Sequence, residues 1–204
     1  MAPTIKGILE VGFGLENKYV PDHSELKRLT KLLKEGGYTV VLTQGVYDMY
    51  HVGHSRYLIK ARSFGDVLIV GVDSDELTRS MKGEGRPFDC FEERIELLAG
   101  FSFINILTRR DIGQHKYGLI RLMQPDVLIM SKTTKSFTER DKKALGKHCG
   151  RIEHLEAQAP PASVSTTAKI RRLQLEGASD LAQRIGKAVE SEVVDYFKGN
   201  GAND

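Results

Sequence analysis

The stretch "LTQGVYDMYHVGHSRYL", residues 42–58, decides how the rest of the chain is read. On its upstream side, "YTVVLTQG" (residues 38–45) is a short β-branched run ending at Gly45, the pattern of a buried strand. Downstream, "HSRYLIKARSFG" (residues 54–65) reads as a helix with Leu58, Ile59 and Ala61 turned inward and Gly65 as its stop. Between the two, Gly45, Asp48, His51, Gly53 and His54 fall close together. A strand that turns into a helix through glycines lets the backbone approach a ligand closely. The helix start adds unpaired N–H groups and the positive end of its dipole, so phosphates bind there.

His51 and His54 are three residues apart, so both rings can face one spot above the helix start. Nucleotidyl transfer needs its reactants held in line and charge stabilised on phosphate oxygens, and imidazole donors can supply that stabilisation. Neutral and protonated rings both donate, so no shifted pKa is required. A single such histidine reads as a cap or a surface residue. The pair, framed by Gly45, Asp48 and Gly53, reads as a phosphate site. Zinc is the competing reading, but three ligands bunched on a tight turn fit no zinc spacing.

Working outward, the alternation continues. "DHSELKRLTKLLKEGG" is a helix capped by Asp22 or Ser24, with Leu26, Leu29, Leu32 and Leu33 as its apolar stripe. Further strands are expected at "DVLIVGVD", "FSFINIL", "DVLIMS" and "RIEHLE", with helices at "SDELTRSMK", "CFEERIELLAG", "KYGLIRLMQ" and "TERDKKALGKHCG". Two closing helices are expected, "STTAKIRRLQLEG" and "ASDLAQRIGKAVESEVVDYFKG". Residues 1–22 read as a loose N-terminal arm with a short strand at Ile8–Val11, residues 23–175 as the main domain, and residues 176–204 as a C-terminal helix and tail. The fold class is therefore α/β: a Rossmann-like parallel sheet with helices on both faces, followed by C-terminal helices. Ligands of such sheets bind at the carboxyl ends of the strands, where the strand order reverses.

Composition narrows the partners. The 204 residues are 40% hydrophobic and 28% charged, with a net charge of +3, too mild to argue for nucleic acid. Neither Cys90 nor Cys149 belongs to a CxxC pair, so two reduced thiols are expected. The N-terminal segment has no long apolar run, which argues against a signal peptide or a membrane span and makes the cytoplasm the default.

The segment "TQGVYDMYHVGHSRYLIKARSFGDVLIVGVDSDE" resembles the opening of the cytidylyltransferase-like nucleotidyltransferases, whose signature is G-x-F-D-x-x-H-x-G-H. The likeness resumes at "RPFDCFEERIELL" and again at "VSTTAKI", and covers roughly residues 25–175. It implies that Thr43, Gln44, Gly45, Val46, Tyr47 and Gly53 line the nucleotide site, and that His51 and His54 contact the triphosphate, His54 closest to the reaction. It further implies that Lys82 neutralises phosphate charge, that Arg94 faces substrate or phosphates, and that Ser165, Thr166 and Thr167 close over the β- and γ-phosphates. Arg86, in the loop after Lys82, and Asp48 are further candidates for substrate or phosphate contact. The bland readings are a solvated loop lysine, a surface ion pair for Arg94, and an ordinary hydroxyl cap for "STT".

Three departures from the family pattern stand out. Pro160 occupies a position where an Arg is common, with Arg151, Lys169 or Arg171 as substitutes. "SKTT" (residues 131–134) replaces a Gly-Gly-Asp element, and Lys132 with Lys135 makes that mouth basic. Tyr47 replaces Phe.

The expected activity joins ATP or CTP to a small phosphorylated alcohol or sugar phosphate and releases pyrophosphate. Mg²⁺ would bridge the triphosphate without a dedicated protein site. The helix before the first strand resembles the adenylyltransferases of ADP-heptose synthesis, while the "HxGH" and "STT" elements suit glycerol-3-phosphate cytidylyltransferase equally. A non-catalytic nucleotide-binding protein on the same fold is the rival reading. A class I aminoacyl-tRNA synthetase is a poor second, because 204 residues leave no room for an anticodon domain. The stripe Leu181, Ile185, Val189, Val193 and Phe197 suggests packing on the core or a homodimer.

Overall fold

A computed structural model describes residues 4–10, 12–113, 117–132, 138–156 and 166–200. The chain divides into two units, residues 1–160 and 161–204. The first holds five strands: β1 (Val40–Gly45), β2 (Val67–Asp73), β3 (Ile106–Arg110), β4 (Val127–Ser131) and β5 (Arg151–Leu155). All pair in parallel, in the order β3-β2-β1-β4-β5. β1, β2 and β4 are short, mostly β-branched or aliphatic runs buried on both faces, as parallel strands covered by helices must be, whereas β3 and β5 carry more charged residues. The order reverses at β1, so its carboxyl end with that of β4 forms the crevice where such sheets take ligands.

Alternation along the strands feeds two cores. Val40 and Leu42 face one cluster, with Leu26, Leu29 and Leu33 of helix α3 (His23–Glu35) and Leu119, Ile120 and Met123 of α7 (Gly118–Met123). Val41, Leu68 and Val70 face the other, with Leu58 and Ala61 of α4 (Val52–Arg62) and Ile95 and Leu98 of α6 (Phe91–Ala99). Helix α5 (Asp75–Lys82) follows β2, and Ser74 caps it by accepting the Leu77 N–H at 3.2 Å. Helix α8 (Glu139–Leu145) precedes β5.

Four expectations are corrected. Residues 5–9 form a helix, α1 (Ile5–Leu9), where a strand was expected from Ile8; the Thr4 hydroxyl caps it by accepting the Gly7 N–H at 3.1 Å. With α2 (Leu15–Lys18), this arm is docked rather than loose. Ile8 lies in the core and its carbonyl accepts from Asn105, while Tyr19 bridges to Leu107 on the outer edge of β3. Ile59 is exposed, because the apolar run at Leu58–Ile59 is wider than the stripe the sheet covers. "FSFINIL" becomes a strand only from Ile106: Phe101 to Asn105 make a turn, with Ile104 N–H returning to Phe101 O at 3.2 Å. Finally, the two closing helices are one, α9 (Thr166–Asn200). Gly177 costs a helix interior only about 1 kcal/mol relative to alanine, which the good helix formers around it absorb. Leu181, Ile185 and Val189 of α9 are exposed. Among the described residues no helix is long and apolar enough to cross a membrane.

Candidate active site

The turn from β1 into α4 has an unusual backbone. Tyr47 (φ 57°) and Met49 (φ 46°) are both left-handed, a conformation that disfavours side chains and persists only where surroundings enforce it. The enforcement comes from a second loop. Asp48, 3% exposed, accepts the Phe88 N–H at 2.9 Å and the Asp89 N–H at 3.0 Å through Oδ1. Its Oδ2 lies 3.3 Å from the Arg86 guanidinium. Asp89 reciprocates, accepting the Met49 N–H at 2.6 Å. The two loops are thus stitched by carboxylate–amide bonds, which are stronger than neutral ones.

His51 is the N-cap of α4, and its Nδ1 accepts the Gly53 N–H at 3.1 Å. That bond leaves Nε2 as the nitrogen that carries the proton and donates in the neutral ring. One turn on, His54 stacks against it with ring centroids 4.0 Å apart and planes 18° apart. Tyr47 meets the His54 ring edge-on at 5.6 Å and Tyr50 lies at 5.3 Å. Gly53 is buried between the histidines in sequence, at the helix start. Two imidazoles therefore share one helix terminus at the carboxyl end of the central strand.

Cations gather beside the turn. Lys82 ends α5 and is exposed as a residue, yet desolvation by the protein around its ammonium lowers its pKa below the ordinary lysine value. Arg86 adds to that lowering, while Asp73 and Asp48 oppose it. Arg86 also lies over the Phe88 ring at 5.1 Å. Arg94 differs from the sequence expectation of a side chain facing substrate. It is 1% exposed, and its guanidinium donates to Asp89 O at 3.0 Å, to Val46 O, and to Asp75 Oδ1 at 2.6 Å. Nor is it half of a surface pair: it is a buried strut under the turn.

At the switch point, Thr43 Oγ1 lies 3.0 Å from Tyr57 Oη and donates to Ile129 O at 3.3 Å, tying β1 to α4 and β4. Burial pushes the Tyr57 phenol up to about 12. Gln44, with Ser131 of β4, lines a small cavity of about 30 Å³ between the strand ends. Lys132 is exposed and paired with Glu156, so the described part of that mouth is charge-balanced. Among the described residues no group of three or more His, Cys, Asp or Glu side chains is placed to hold a metal ion. Asp48 and Asp73, whose charges act on Lys82, are paired with Arg86 and Arg110.

Comparison with known proteins agrees with this geometry. The sequence model of the family described as cytidylyltransferase-like matches residues 42–172, from the end of β1 into α9. The chain belongs to that family. Two relatives, each called bifunctional protein HldE, are 34% identical over 170 residues (Actinobacillus succinogenes; 83% of this chain, 34% of the relative) and 32% identical over 159 residues (Nitratiruptor sp.; 77% and 32%). The chain thus spans about a third or less of the length of the curated relatives it matches. Two solved structures share the fold. One is the lipopolysaccharide core biosynthesis protein of Thermoplasma volcanium (TM-score 0.51, 24% identity, 58% of this chain and 97% of that one). The other is the pantoate-beta-alanine ligase of Francisella tularensis, complexed with beta-gamma ATP and beta-alanine (TM-score 0.52, 13% identity, 76% and 72%).

In this cytidylyltransferase-like domain the β1–α4 turn brings Tyr47, Asp48, His51 and His54 together, with Arg86 joined to them through Asp48. Ser165 lies outside the described residues, as do positions 133–137 and Pro160; Thr166 and Thr167 open α9, and their side chains are outside the description. Sequence reasoning missed Asp75, Asp89 and Tyr50. Asp75 was readable only as an acidic first-turn residue, and Asp89 only as part of "RPFD". Tyr50 sits inside the quoted motif but at one of its unspecified positions.

Proposed function

We propose that this domain transfers a nucleotidyl group from a nucleoside triphosphate to the phosphate of a small sugar phosphate, with ATP and heptose 1-phosphate as the first pair to test. The observation that carries the reading is the stacked His51–His54 pair at the start of α4, at the switch point of the sheet. A phosphate oxygen of the acceptor attacks the α-phosphorus, the bond from that phosphorus to the β-phosphate oxygen breaks, and pyrophosphate leaves. His51 and His54 donate to the oxygens on which charge develops, aided by the N–H groups of the helix start. Lys82 and Arg86 supply positive charge at the mouth, and Arg94 positions the turn through Val46 and Asp89. Mg²⁺ enters as part of the Mg–NTP substrate, since the described carboxylates beside the turn are committed to arginines and amides.

The choice of ATP with a heptose phosphate is supported by the lead-in helix before β1, which resembles the adenylyltransferases of ADP-heptose synthesis, and by the HldE relatives. CTP with glycerol 3-phosphate is the second pair. Pyrophosphate release should be measured for ATP and CTP against heptose 1-phosphate, glycerol 3-phosphate and phosphoethanolamine. Turnover with one pair alone fixes base and acceptor together. Nucleotide binding without pyrophosphate release from any pair would replace the enzyme reading with that of a nucleotide-binding module.

A further inference from the structure

Three aromatic side chains outside the expected site residues run in contact up to His54. Phe103 stacks on Phe101 (centroids 5.1 Å, 15°), Phe101 stacks on Tyr50 (5.0 Å, 24°), and Tyr50 packs on the His54 ring (5.3 Å, 45°). On its other neighbours, His54 meets Tyr47 edge-on and His51 face-on. The hydroxyl of Tyr50 accepts from Ser55 Oγ at 3.1 Å, which pins the far end of the ring to the same helix that carries His54. Phe101 is itself fixed from the N-terminal arm: Lys18, 1% exposed, donates from Nζ to the Phe101 carbonyl at 2.6 Å. A lysine this buried is rare, and desolvation lowers its pKa; the bond to Phe101 and its place over the Phe13 ring at 5.8 Å compensate.

We propose that Tyr50, backed by Phe101, is the positioning residue for His54: the ring stack, and not the tyrosine hydroxyl, sets the imidazole plane from which the donor is presented. The inference rests on the catalytic reading of His54. Its physical basis is that an imidazole has two soft torsions, and a donor must be aimed within a narrow cone to stabilise a developing charge. His51 and Tyr47 restrain His54 from two directions. The third is Tyr50, whose ring face is backed by Phe101. Stacked and edge-on aromatic contacts contribute about 0.5–1.5 kcal/mol each beyond burial, enough to select one rotamer over another.

Three variants separate ring from hydroxyl and both from folding. Tyr50→Phe keeps the stack and loses the Ser55 bond; Tyr50→Leu and Phe101→Leu remove the stack at its two ends. With the active NTP and sugar-phosphate pair, kcat is expected to fall about tenfold in Tyr50→Leu with KM changed less than about threefold, as a misaimed group costs rate more than binding. Phe101→Leu should show the same split at smaller size, the double variant should fall no further than Tyr50→Leu, and Tyr50→Phe should stay within about twofold of wild type. A readout that needs no substrate accompanies them: the His54 ring proton resonances, assigned by their loss in His54→Ala, should move in Tyr50→Leu and Phe101→Leu and stay in Tyr50→Phe. Equal losses in Tyr50→Phe and Tyr50→Leu would overturn the proposal in favour of the hydroxyl. Wild-type kcat and an unmoved His54 resonance in Phe101→Leu would overturn it outright, also if Tyr50→Leu does not fold. If His54→Ala itself retains full turnover while the resonances move as expected, the catalytic reading fails and the packing claim stands, so the two are told apart.

Discussion

The β1–α4 turn and the α5–α6 connection meet at Asp48, and they are built in opposite ways. Val46, Tyr47 and Asp48 are buried, two residues of the turn are left-handed, and the Asp48 carboxylate is fully engaged across the join. The connection leaves the end of α5 through Lys82, Gly83, Glu84 and Gly85, all exposed, and the contacts that tie it to the turn come from Arg86, Phe88 and Asp89. The difference divides the work that the proposed nucleotidyl transfer requires. Donors for a developing charge act best when fixed before substrate arrives, because they need no reorganisation during the reaction. A neutralising charge tolerates a less fixed carrier, since Coulomb attraction falls off slowly and has no angular demand.

If that division holds, damage to the turn should strike rate and stability, and damage to the connection should strike binding. The largest effect is expected for His54→Ala: a drop of roughly 10²–10³ in turnover, as for loss of one charge-stabilising donor, with stability lowered by about 1–2 kcal/mol as the ring's contacts with Tyr47, Tyr50 and His51 are lost. Pyrophosphate release and a thermal melt on the same sample check both halves. Next comes Arg94→Met. Removing one partner of a buried, multiply bonded ion pair leaves Asp75, Val46 O and Asp89 O without their donor. A loss of about 3 kcal/mol is expected, at the low end of the usual range because Asp75 is partly exposed. Urea unfolding measures it, and a loss below about 1 kcal/mol would remove Arg94 as the strut of the turn.

How much of this was legible beforehand follows the range of the forces involved. Strands and helices obey local periodicity, so the five strands, their parallel pairing and the place of the His51–His54 turn could be read from apolar runs and glycines. Arg94 could not. Its helix position allows a solvent-facing side chain, and only the tertiary approach of Val46, Asp75 and Asp89 buries it. The N-terminal arm failed for a similar reason: a five-residue helix has almost no periodic signal, and it is held by Ile8 in the core and by Asn105, nearly a hundred residues away. At "FSFINIL" the local pattern misled, since β-propensity at Phe101 and Phe103 reflects fit to a packed surface, which the aromatic stack supplies equally well.

On the connection, effects should be smaller and fall on binding. Lys82→Ala is expected to reduce kcat/KM by about tenfold or more, the scale of one hydrogen bond to a charged group, with stability near wild type. Its pH dependence has a definite sign. Desolvation lowers the folded-state pKa, so the ammonium costs stability below that pKa, and the cost disappears as pH rises past the ordinary value of 10.5. Binding runs the other way: positive charge is lost through that same window, so KM for the triphosphate should rise on the alkaline side earlier than a free lysine would predict. Lys82→Arg keeps its charge and should hold KM flat there. A wild-type KM that is level up to the same pH as the arginine variant would mean that Lys82 does not meet the triphosphate.

The smallest effects test whether the connection is loose throughout. Gly83 caps α5 at φ 96° and ψ 166°, a region nearly closed to side chains, whereas Gly85 has no positive φ; an added Cβ would meet nothing within 4 Å at either position. Strain and space are thus separated in two glycines one residue apart. Gly83→Ala should destabilise by about 1–2 kcal/mol through backbone strain alone. Gly85→Ala should be neutral or stabilising by up to about 1 kcal/mol, because alanine narrows the unfolded ensemble at no native cost. Equal stabilities for the two variants would show that the end of α5 is as unconstrained as the loop it enters, and the fixed part of the mouth would then reduce to the β1–α4 turn and the Arg86–Asp89 segment that ties it down.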